Sequence, residues 1–372
     1  MSPQPELPEY FRESVLYLKS QTGTPMSNHK DPKRRAKKSA IFGKKRSPWI
    51  TQAMETMIEL VPASSIARIK ASVRFSVAVL AVMLLAGCSN APDEILRQDR
   101  LFRDEAVLTS EAISDYDALL FKSEGDEIYG QILKPDSSFG ENRPCVLMIH
   151  GFAGFARFDD IGQSLCRAGC VVLIPHHRGA WGSQGKYSIS NCVQDVVNLV
   201  NHIRSPEFLA KYHIDSSAVF LVGHSMGGNT VLNAAVQVPG VRGLIMLAPC
   251  DIGTMFQQMS KDEMRSFMVD NGLEVLRTDG FDAVYHDLAE HASAYAFPNA
   301  AAKLKNVNLF LAIGEWDTCI SNDLLKDFYF TAQKNQSLPS CSLKNYKSKH
   351  GLMGVRTQLS RDIADFMLNA LK

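Results

Sequence analysis

The stretch Phe220–Thr230, FLVGHSMGGNT, carries the strongest chemical signal in the sequence. It places Ser225 in a G-x-S-x-G pattern, directly after an apolar run and directly before a helical pattern. The glycines permit a sharp turn from strand to helix that presents the serine hydroxyl at the start of the helix. The motif therefore predicts Ser225 as a nucleophile for acyl transfer; a glycine-rich turn without chemistry is the alternative.

A serine hydroxyl is a weak nucleophile and needs a base that is oriented by an acid. In strand–turn–helix sites of this kind the acid and the histidine follow the serine along the chain. Asp317 comes directly after the late apolar run 307–314, and His350 is the only histidine beyond it. The sequence therefore predicts Asp317 as the acid and His350 as the base. Asp251 is a competing acid, and a surface-loop role is the alternative for His350.

Acyl transfer also needs hydrogen-bond donors for the oxyanion. The segment Met148–Gly154, MIHGFAG, follows an earlier apolar run and supplies such a loop. The backbone N–H groups of Phe152 and Met226 form the expected pair, each contributing about 3–4 kcal/mol to lowering the barrier. We expect His150 to brace this loop rather than act as a base, and a turn with no catalytic role is the alternative.

The elements that position these residues are predicted from hydrophobic pattern. A hairpin is predicted over 116–135, with its turn at residues 124–126, and apolar runs then alternate with amphipathic stretches. The predicted strands are 145–151, 170–179, 218–225, 241–249, 307–314 and, more weakly, 342–348. The predicted helices are 157–169, 191–205, 229–238 and 358–372. Apolar strands alternating with helices indicate an α/β class, a doubly wound, mostly parallel sheet covered on both faces.

The alternation fails between Cys250 and Ala302. This segment is rich in methionine and helical in composition, and about 50 residues is too long for an ordinary connection. We interpret residues 250–302 as an inserted helical cap over one end of the sheet, within a domain spanning 114–372.

Residues from about 117 to 372 resemble the α/β-hydrolase superfamily. Residues 176–188, HHRGAWGSQGKYS, and 214–228, IDSSAVFLVGHSMGG, are similar to stretches of its prolyl-oligopeptidase-like and dienelactone-hydrolase-like members. The resemblance implies a serine hydrolase with a triad of Ser225, Asp317 and His350, needing no cofactor or metal. The chain lacks a recognisable propeller domain and has HGFAG where HGG is usual. Ester hydrolysis is therefore favoured.

Three alternatives remain open at this stage. A peptidase or an acyltransferase uses the same triad, so the expected substrate is a small acyl compound or a short peptide. A non-catalytic binding lipoprotein of the same fold is the third. Arg178, in HHRG, could bind a substrate carboxylate or form a structural ion pair.

The first 76 residues differ in charge from the rest. They carry 14 Lys/Arg against 6 Asp/Glu, whereas residues 77–372 carry 26 against 33. The basic run Lys30–Arg46 could contact nucleic acid or anionic lipid. No nucleic-acid-binding motif surrounds it, so residues 1–70 are interpreted as a disordered leader or as sequence upstream of the true start, with Met54, Met57 and Val73 as candidate initiators.

An apolar run with a basic flank ends at Cys88. The uncharged run Val77–Leu85 is too short to span a bilayer, which takes about 20 residues, but residues 71–87 fit a secretory signal. Their ending, LAGC, resembles the lipobox of bacterial lipoproteins, in which the cysteine is acylated after cleavage. Cys88 is therefore predicted to anchor the chain, through a linker over 88–113, to the periplasmic side of a membrane. The residue after Cys88 is Ser89 rather than aspartate, which resembles lipoproteins that are sorted to the outer membrane. The alternative is that the apolar run is a buried helix of the globular domain.

Seven cysteines remain after Cys88. Most lie in apolar contexts where cysteine behaves as a small hydrophobe, and no spacing requires disulfides. No CxxC or histidine-rich spacing indicates a metal site, and the pair His176-His177 is interpreted as structural.

Overall fold

The computed structural model describes residues 95–105, 109–110 and 112–372. The predicted leader, signal peptide and Cys88 lie outside the described residues. Within those ranges no helix is both long and apolar enough to cross a membrane.

The described residues contain one eight-stranded sheet. Its strands are β1 (Asp115–Ser123), β2 (Asp126–Lys134), β3 (Arg143–Ile149), β4 (Val171–Pro175), β5 (Ile214–His224), β6 (Gly243–Leu247), β7 (Asn308–Gly314) and β8 (Cys341–Tyr346). Their spatial order is β1-β2-β4-β3-β5-β6-β7-β8. β1 and β2 form an antiparallel hairpin, β2 pairs antiparallel with β4, and all other neighbours are parallel. The predicted fold class is confirmed.

Ten α-helices follow or connect the strands in the described part of the chain. They are α1 (Asp159–Arg167), α2 (Ile189–Ile203), α3 (Pro206–Tyr212), α4 (Met226–Gln237), α5 (Ile252–Gln258), α6 (Lys261–Asp270), α7 (Phe281–Tyr295), α8 (Phe297–Ala301), α9 (Asn322–Gln333) and α10 (Arg356–Leu371). The helices α5 to α8 all lie between β6 and β7, in the segment interpreted as a cap.

Two apolar layers cover the sheet, because alternate residues of each central strand point to opposite faces. In β3, Leu147 and Ile149 join the core formed with α2 and α4, whereas Val146 and Met148 join the core formed with α1 and α10. All seven residues of β3 are buried, as parallel strands covered on both faces require.

Three features differ from the sequence prediction. β5 begins at Ile214 rather than at 218, because the polar residues at its start extend the strand along β3 across a bulge. α3 was not predicted, although Ser205 caps it and Pro206 occupies its first turn, which are common start signals. Part of the predicted linker packs on the domain, where Leu96 and Leu101 are fully buried against the α1 and α10 side.

Candidate active site

Ser225 lies at the turn between β5 and α4, with φ 53° and ψ −119°. This unusual backbone is held on both sides, since the N–H of Ser225 donates to the carbonyl of Leu247 at 3.0 Å. The carbonyl of Ser225 in turn accepts from the N–H groups of Gly228 and Cys250, both at 2.9 Å. A serine with a positive φ, held in this way at a strand–helix junction, is the geometry that the sequence motif predicts.

The glycines of the motif are required by close backbone approach. A Cβ on Gly223 would lie 2.2 Å from the carbonyl oxygen of Gly227. A Cβ on Gly227 would lie 2.3 Å from the carbonyl oxygen of Ile149, at the end of β3. The turn therefore packs directly against the loop after β3, which brings Ser225 beside the predicted oxyanion loop.

His350 follows β8 and meets Asp317, which follows β7. Nδ1 of His350 donates to Oδ2 of Asp317 at 2.8 Å, and the Asp317 side chain is fully buried. Because Nδ1 carries the proton in this hydrogen bond, Nε2 is left to accept one. His350 shares a cavity with Ser225, and within the described residues no direct hydrogen bond joins the two side chains. Such contacts are often looser before substrate binds.

The Asp317 carboxylate is held in its ionised form. Its Oδ1 accepts the backbone N–H groups of Cys319 at 2.8 Å and Ile320 at 3.1 Å. Burial opposes the charge, but the hydrogen bond and charge of His350, together with these N–H groups, outweigh it and hold the pKa of Asp317 below its ordinary value.

Asp251, the competing acid, has a different structural role. Its carboxylate caps α5 by accepting from the N–H of Thr254 at 3.0 Å and from the Thr254 hydroxyl at 2.7 Å. It also accepts the N–H of Phe297 at 3.2 Å. Burial raises its pKa, and it contacts α5 and α8 rather than His350. The structure therefore brings Asp317, and not Asp251, to the predicted base.

The predicted oxyanion donors lie on the same cavity. Phe152 and Met226 both line it, and neither backbone N–H has an acceptor among the described residues. Met226 is the first residue of α4, whose early N–H groups have no intrahelical partner. His150 braces the loop as predicted, since its Nδ1 donates to the Gly151 carbonyl at 2.8 Å, and burial lowers its pKa to about 4.

His224 is a neighbour of the site that sequence reasoning missed. Its Nε2 donates to the backbone carbonyl of His350 at 3.1 Å, and the two rings lie 4.8 Å apart. The ring also packs against Phe158. Burial, followed by the charge on His350, lowers the pKa of His224 to about 3, so it is neutral in the folded chain. The x position of G-x-S-x-G gives no sequence signal for this contact.

The cavity above Ser225 measures about 210 Å³. Its walls are mostly apolar and include Phe155, Ile320 and, from the inserted helices, Phe267 and Asn271. The inserted segment thus supplies part of the wall. The sequence pattern does not predict that these particular residues line the cavity, because this depends on how α6 folds back over the sheet.

A larger groove of about 1220 Å³ lies at the opposite edge of the sheet. It is lined by residues near the amino ends of β5 to β8, among them Ser217, Arg242 and Ser342. None of the predicted catalytic residues lines it, so the smaller cavity is the candidate active site.

The other residues singled out from the sequence are structural or lie at the rim. Nε of Arg178 donates to Oδ1 of Asp195 at 2.6 Å, both side chains are buried, and neither lines the cavity. Arg178 therefore forms the structural ion pair that was one of its two predicted roles. All seven cysteines after Cys88 are free, and two of them, Cys250 and Cys319, line the cavity.

A family model and a curated protein each match part of the sequence. The serine aminopeptidase S33 family model matches residues 140–269. The monoglyceride lipase of Rattus norvegicus is 27% identical over 133 residues, which is 35% of this chain and 42% of that protein. The match thus spans less than half the length of the lipase.

Solved structures match over a wider part. Est1E of Butyrivibrio proteoclasticus, with bound ferulic acid, superimposes with a TM-score of 0.54 at 16% identity, covering 68% of this chain and 99% of that one. The chain has the α/β-hydrolase fold. A thermostable carboxyl esterase from Bacillus coagulans, in complex with glycerol, also has this fold, with a TM-score of 0.54, 14% identity and coverage of 69% and 99%. Within the α/β-hydrolase fold, Ser225 follows β5 and His350 follows β8, both at the carboxyl edge of the sheet.

Proposed function

We propose that the chain is a serine hydrolase that cleaves carboxylic esters through an acyl-enzyme. The observation that carries this proposal is the hydrogen bond to the buried Asp317 from His350, which lines the same cavity as Ser225. A binding module of the same fold has no need for an oriented base beside a strained serine.

Each group has a defined task. Nε2 of His350 accepts the Ser225 proton as the hydroxyl oxygen attacks the ester carbonyl carbon, and Asp317 stabilises the imidazolium. The N–H groups of Phe152 and Met226 donate to the oxyanion. His350 then returns the proton to the departing alcohol. Water, deprotonated by the same histidine, releases the carboxylic acid and restores Ser225.

The cavity favours an ester over a peptide with a free amino terminus. An aminopeptidase must bind the charged α-amino group of its substrate, which calls for a carboxylate in the pocket. Among the described residues that line the cavity none is acidic. The S33 family match keeps a peptidase as the second candidate. The lipase and esterases to which the chain is similar support the ester.

The size of the cavity favours a short acyl group. Its volume of about 210 Å³ lies below the range of about 300–1,000 Å³ typical of pockets for drug-sized ligands. Phe155, Phe267 and Ile320 give an apolar lining that suits a short aliphatic or small aromatic acid.

We also propose that the enzyme is anchored in the bacterial cell envelope through acylated Cys88. The support is the sequence alone: a basic flank, a short apolar run and the LAGC ending. The hydrolase would then face the periplasm.

The test combines labelling with a substrate panel. A fluorophosphonate probe should label the wild-type chain and fail to label Ser225→Ala, while Ser216→Ala, an exposed serine at the start of β5, labels normally. Short p-nitrophenyl esters should be hydrolysed faster than long ones and faster than aminoacyl p-nitroanilides. Labelling of Ser225→Ala would refute the mechanism, and faster anilide cleavage would make the peptidase the function.

A further inference from the structure

Cys319 adds a third metal-binding side chain to the acid–base pair. It lies two residues after Asp317, is exposed, and lines the same cavity. One potential ligand atom from each of Asp317, Cys319 and His350 lies within 4.8 Å of the others. Ester hydrolysis by the triad needs no thiol here, so the function proposed above leaves Cys319 without a role.

Carboxylate, thiolate and imidazole are the three ligand types that zinc takes from proteins. Zinc–ligand distances of about 2.0–2.3 Å place the ligands of a tetrahedral ion about 3.3–3.8 Å apart. The contact of 2.8 Å between Asp317 and His350 must therefore open slightly, and any separation as wide as 4.8 Å must shorten by about 1–1.5 Å. Rotation of the exposed Cys319 side chain is the simplest way to shorten the distances to its sulfur. Three protein ligands leave the fourth position open to water from the cavity, as in zinc sites with one exchangeable ligand.

We propose that Asp317, Cys319 and His350 bind Zn²⁺ and that the bound ion inhibits the enzyme. The inhibitory part rests on the proposed function. On coordination the Cys319 thiol releases its proton to solvent and a ring nitrogen of His350 donates its lone pair to the ion. The ring nitrogen that faces Asp317 is Nδ1, so the ion binds there and replaces the hydrogen bond between the two side chains. The proton that Nδ1 carried moves to Nε2 by way of solvent. A protonated Nε2 cannot accept the Ser225 proton, so the bound ion removes the base.

This site was invisible in the sequence because its ligands do not form a short motif. Asp317 and His350 are brought together by neighbouring parallel strands, β7 and β8, that end at the same edge. The proposal therefore departs from the expectation of no metal site, which rested on the lack of a CxxC or histidine-rich spacing.

The first test is inhibition of the full-length chain. Ester hydrolysis should fall in the presence of Zn²⁺ and recover on addition of EDTA. Cys319→Ser should need at least about tenfold more Zn²⁺ than the wild type for the same fractional loss of activity. Even a residue that only contacts a metal ligand contributes about 10–100-fold to metal affinity. Each variant is compared with its own zinc-free rate. Cys341→Ser, which removes a half-buried thiol of β8, is the matched control and should respond like the wild type.

The second test does not depend on activity. In Ser225→Ala, Co²⁺ in place of Zn²⁺ should produce a thiolate-to-metal absorption band, and the double variant Ser225→Ala/Cys319→Ser should not. If the band appears but the wild type hydrolyses no ester, the metal site is supported and the proposed function is refuted. Hydrolysis with no band, or equal zinc inhibition of the wild type and Cys319→Ser, would overturn the metal site.

Discussion

Nδ1 of His350 and Oδ2 of Asp317 are 2.8 Å apart, although 33 residues separate them in the chain. The contact forms because β7 and β8 are parallel neighbours, so the loops that follow them leave the sheet side by side. The His350 ring remains 22% exposed while the Asp317 side chain is fully buried. The histidine can thus reach a substrate in the cavity while its orienting partner stays shielded from water.

Asp317→Asn should therefore abolish most activity without unfolding the chain. An asparagine amide no longer accepts the Nδ1 proton as a carboxylate does, and it favours the imidazole tautomer that leaves Nε2 protonated. Turnover of p-nitrophenyl esters should fall by about 10⁴-fold, as in other triads.

Asp251→Asn is the matched comparison, since it replaces a buried carboxylate at the end of the preceding strand. It should lower the free energy of unfolding, because the amide nitrogen that replaces one carboxylate oxygen cannot accept, so a donor of Thr254 or Phe297 loses its partner. Its turnover, measured on folded protein, should stay close to wild type. A severe loss of turnover in Asp251→Asn with a mild one in Asp317→Asn would reverse the assignment of the acid.

The members of the proposed triad could be identified from sequence because each lies within four residues of the end of a strand. In a parallel sheet the carboxyl ends of the strands share one edge, so a serine, an acid and a histidine at three such positions are expected to converge. The local motif also predicted the backbone conformation at Ser225, because the spacing of the glycines implies a tight strand–helix turn.

The rest of the site depends on contacts that no local pattern encodes. His224 reaches the carbonyl of His350 across 126 residues of chain. Phe267 enters the cavity wall only through the way α6 folds over the sheet. Leu96 and Leu101 were predicted to lie in a polar linker, because two short apolar pairs, 95–96 and 101–102, among charged residues are too few to show a helical or strand period.

Gly227→Ala should separate the serine turn from the oxyanion loop. Its Cβ would lie 2.3 Å from the Ile149 carbonyl oxygen and 2.6 Å from that of His150. Relief of these clashes must move the loop that carries Phe152, so kcat should fall by about 10²–10³-fold, comparable to loss of one oxyanion donor.

Gly354→Ala provides the control, because a Cβ there meets nothing within 4 Å. Both kcat and the melting temperature of Gly354→Ala should match the wild type. If Gly227→Ala retains full kcat, the close contact between the turn and the loop does not position the oxyanion donors.

Acid should destabilise the fold through its buried histidines. Burial lowers the pKa of His150 from 6.5 to about 4, so the unfolded chain binds a proton that the folded chain does not between these values. The free energy of unfolding therefore decreases as pH falls from about 6.5 towards 4, by about 1.4 kcal/mol per pH unit for each such histidine. His224 acts in the same direction, down to about 3.

Urea unfolding at pH 7, 6 and 5 measures this slope. His150→Asn should reduce the slope by about 1.4 kcal/mol per pH unit below pH 6, whatever it does to stability at pH 7. An unchanged slope in His150→Asn would mean that this histidine is protonated in the folded chain.

Phe267→Ala should extend the range of acyl chains that the enzyme accepts. Phe267 lines the cavity of about 210 Å³ from α6, and removing its ring opens the wall on the side of the inserted helices. The chain length with the highest kcat/KM in a series of p-nitrophenyl esters should therefore increase. Phe330→Ala, at an exposed position of α9 outside the cavity, should leave the preference unchanged. An unchanged preference in Phe267→Ala would place the acyl group elsewhere.

Cys88→Ser should release the enzyme from the membrane fraction or stall it with its signal uncleaved. Lipid anchoring needs more than one acyl chain, because a single myristoyl-length chain binds a bilayer only marginally, and a lipoprotein cysteine is the residue that carries them. Cell fractionation and mass spectrometry of the mature amino terminus measure both results. Ester hydrolysis per molecule should not change, since the cavity is formed by residues from 151 onwards. A mature chain that begins near Met1, or a Cys88→Ser variant that stays fully membrane-bound after cleavage, would rule out acylation at this position.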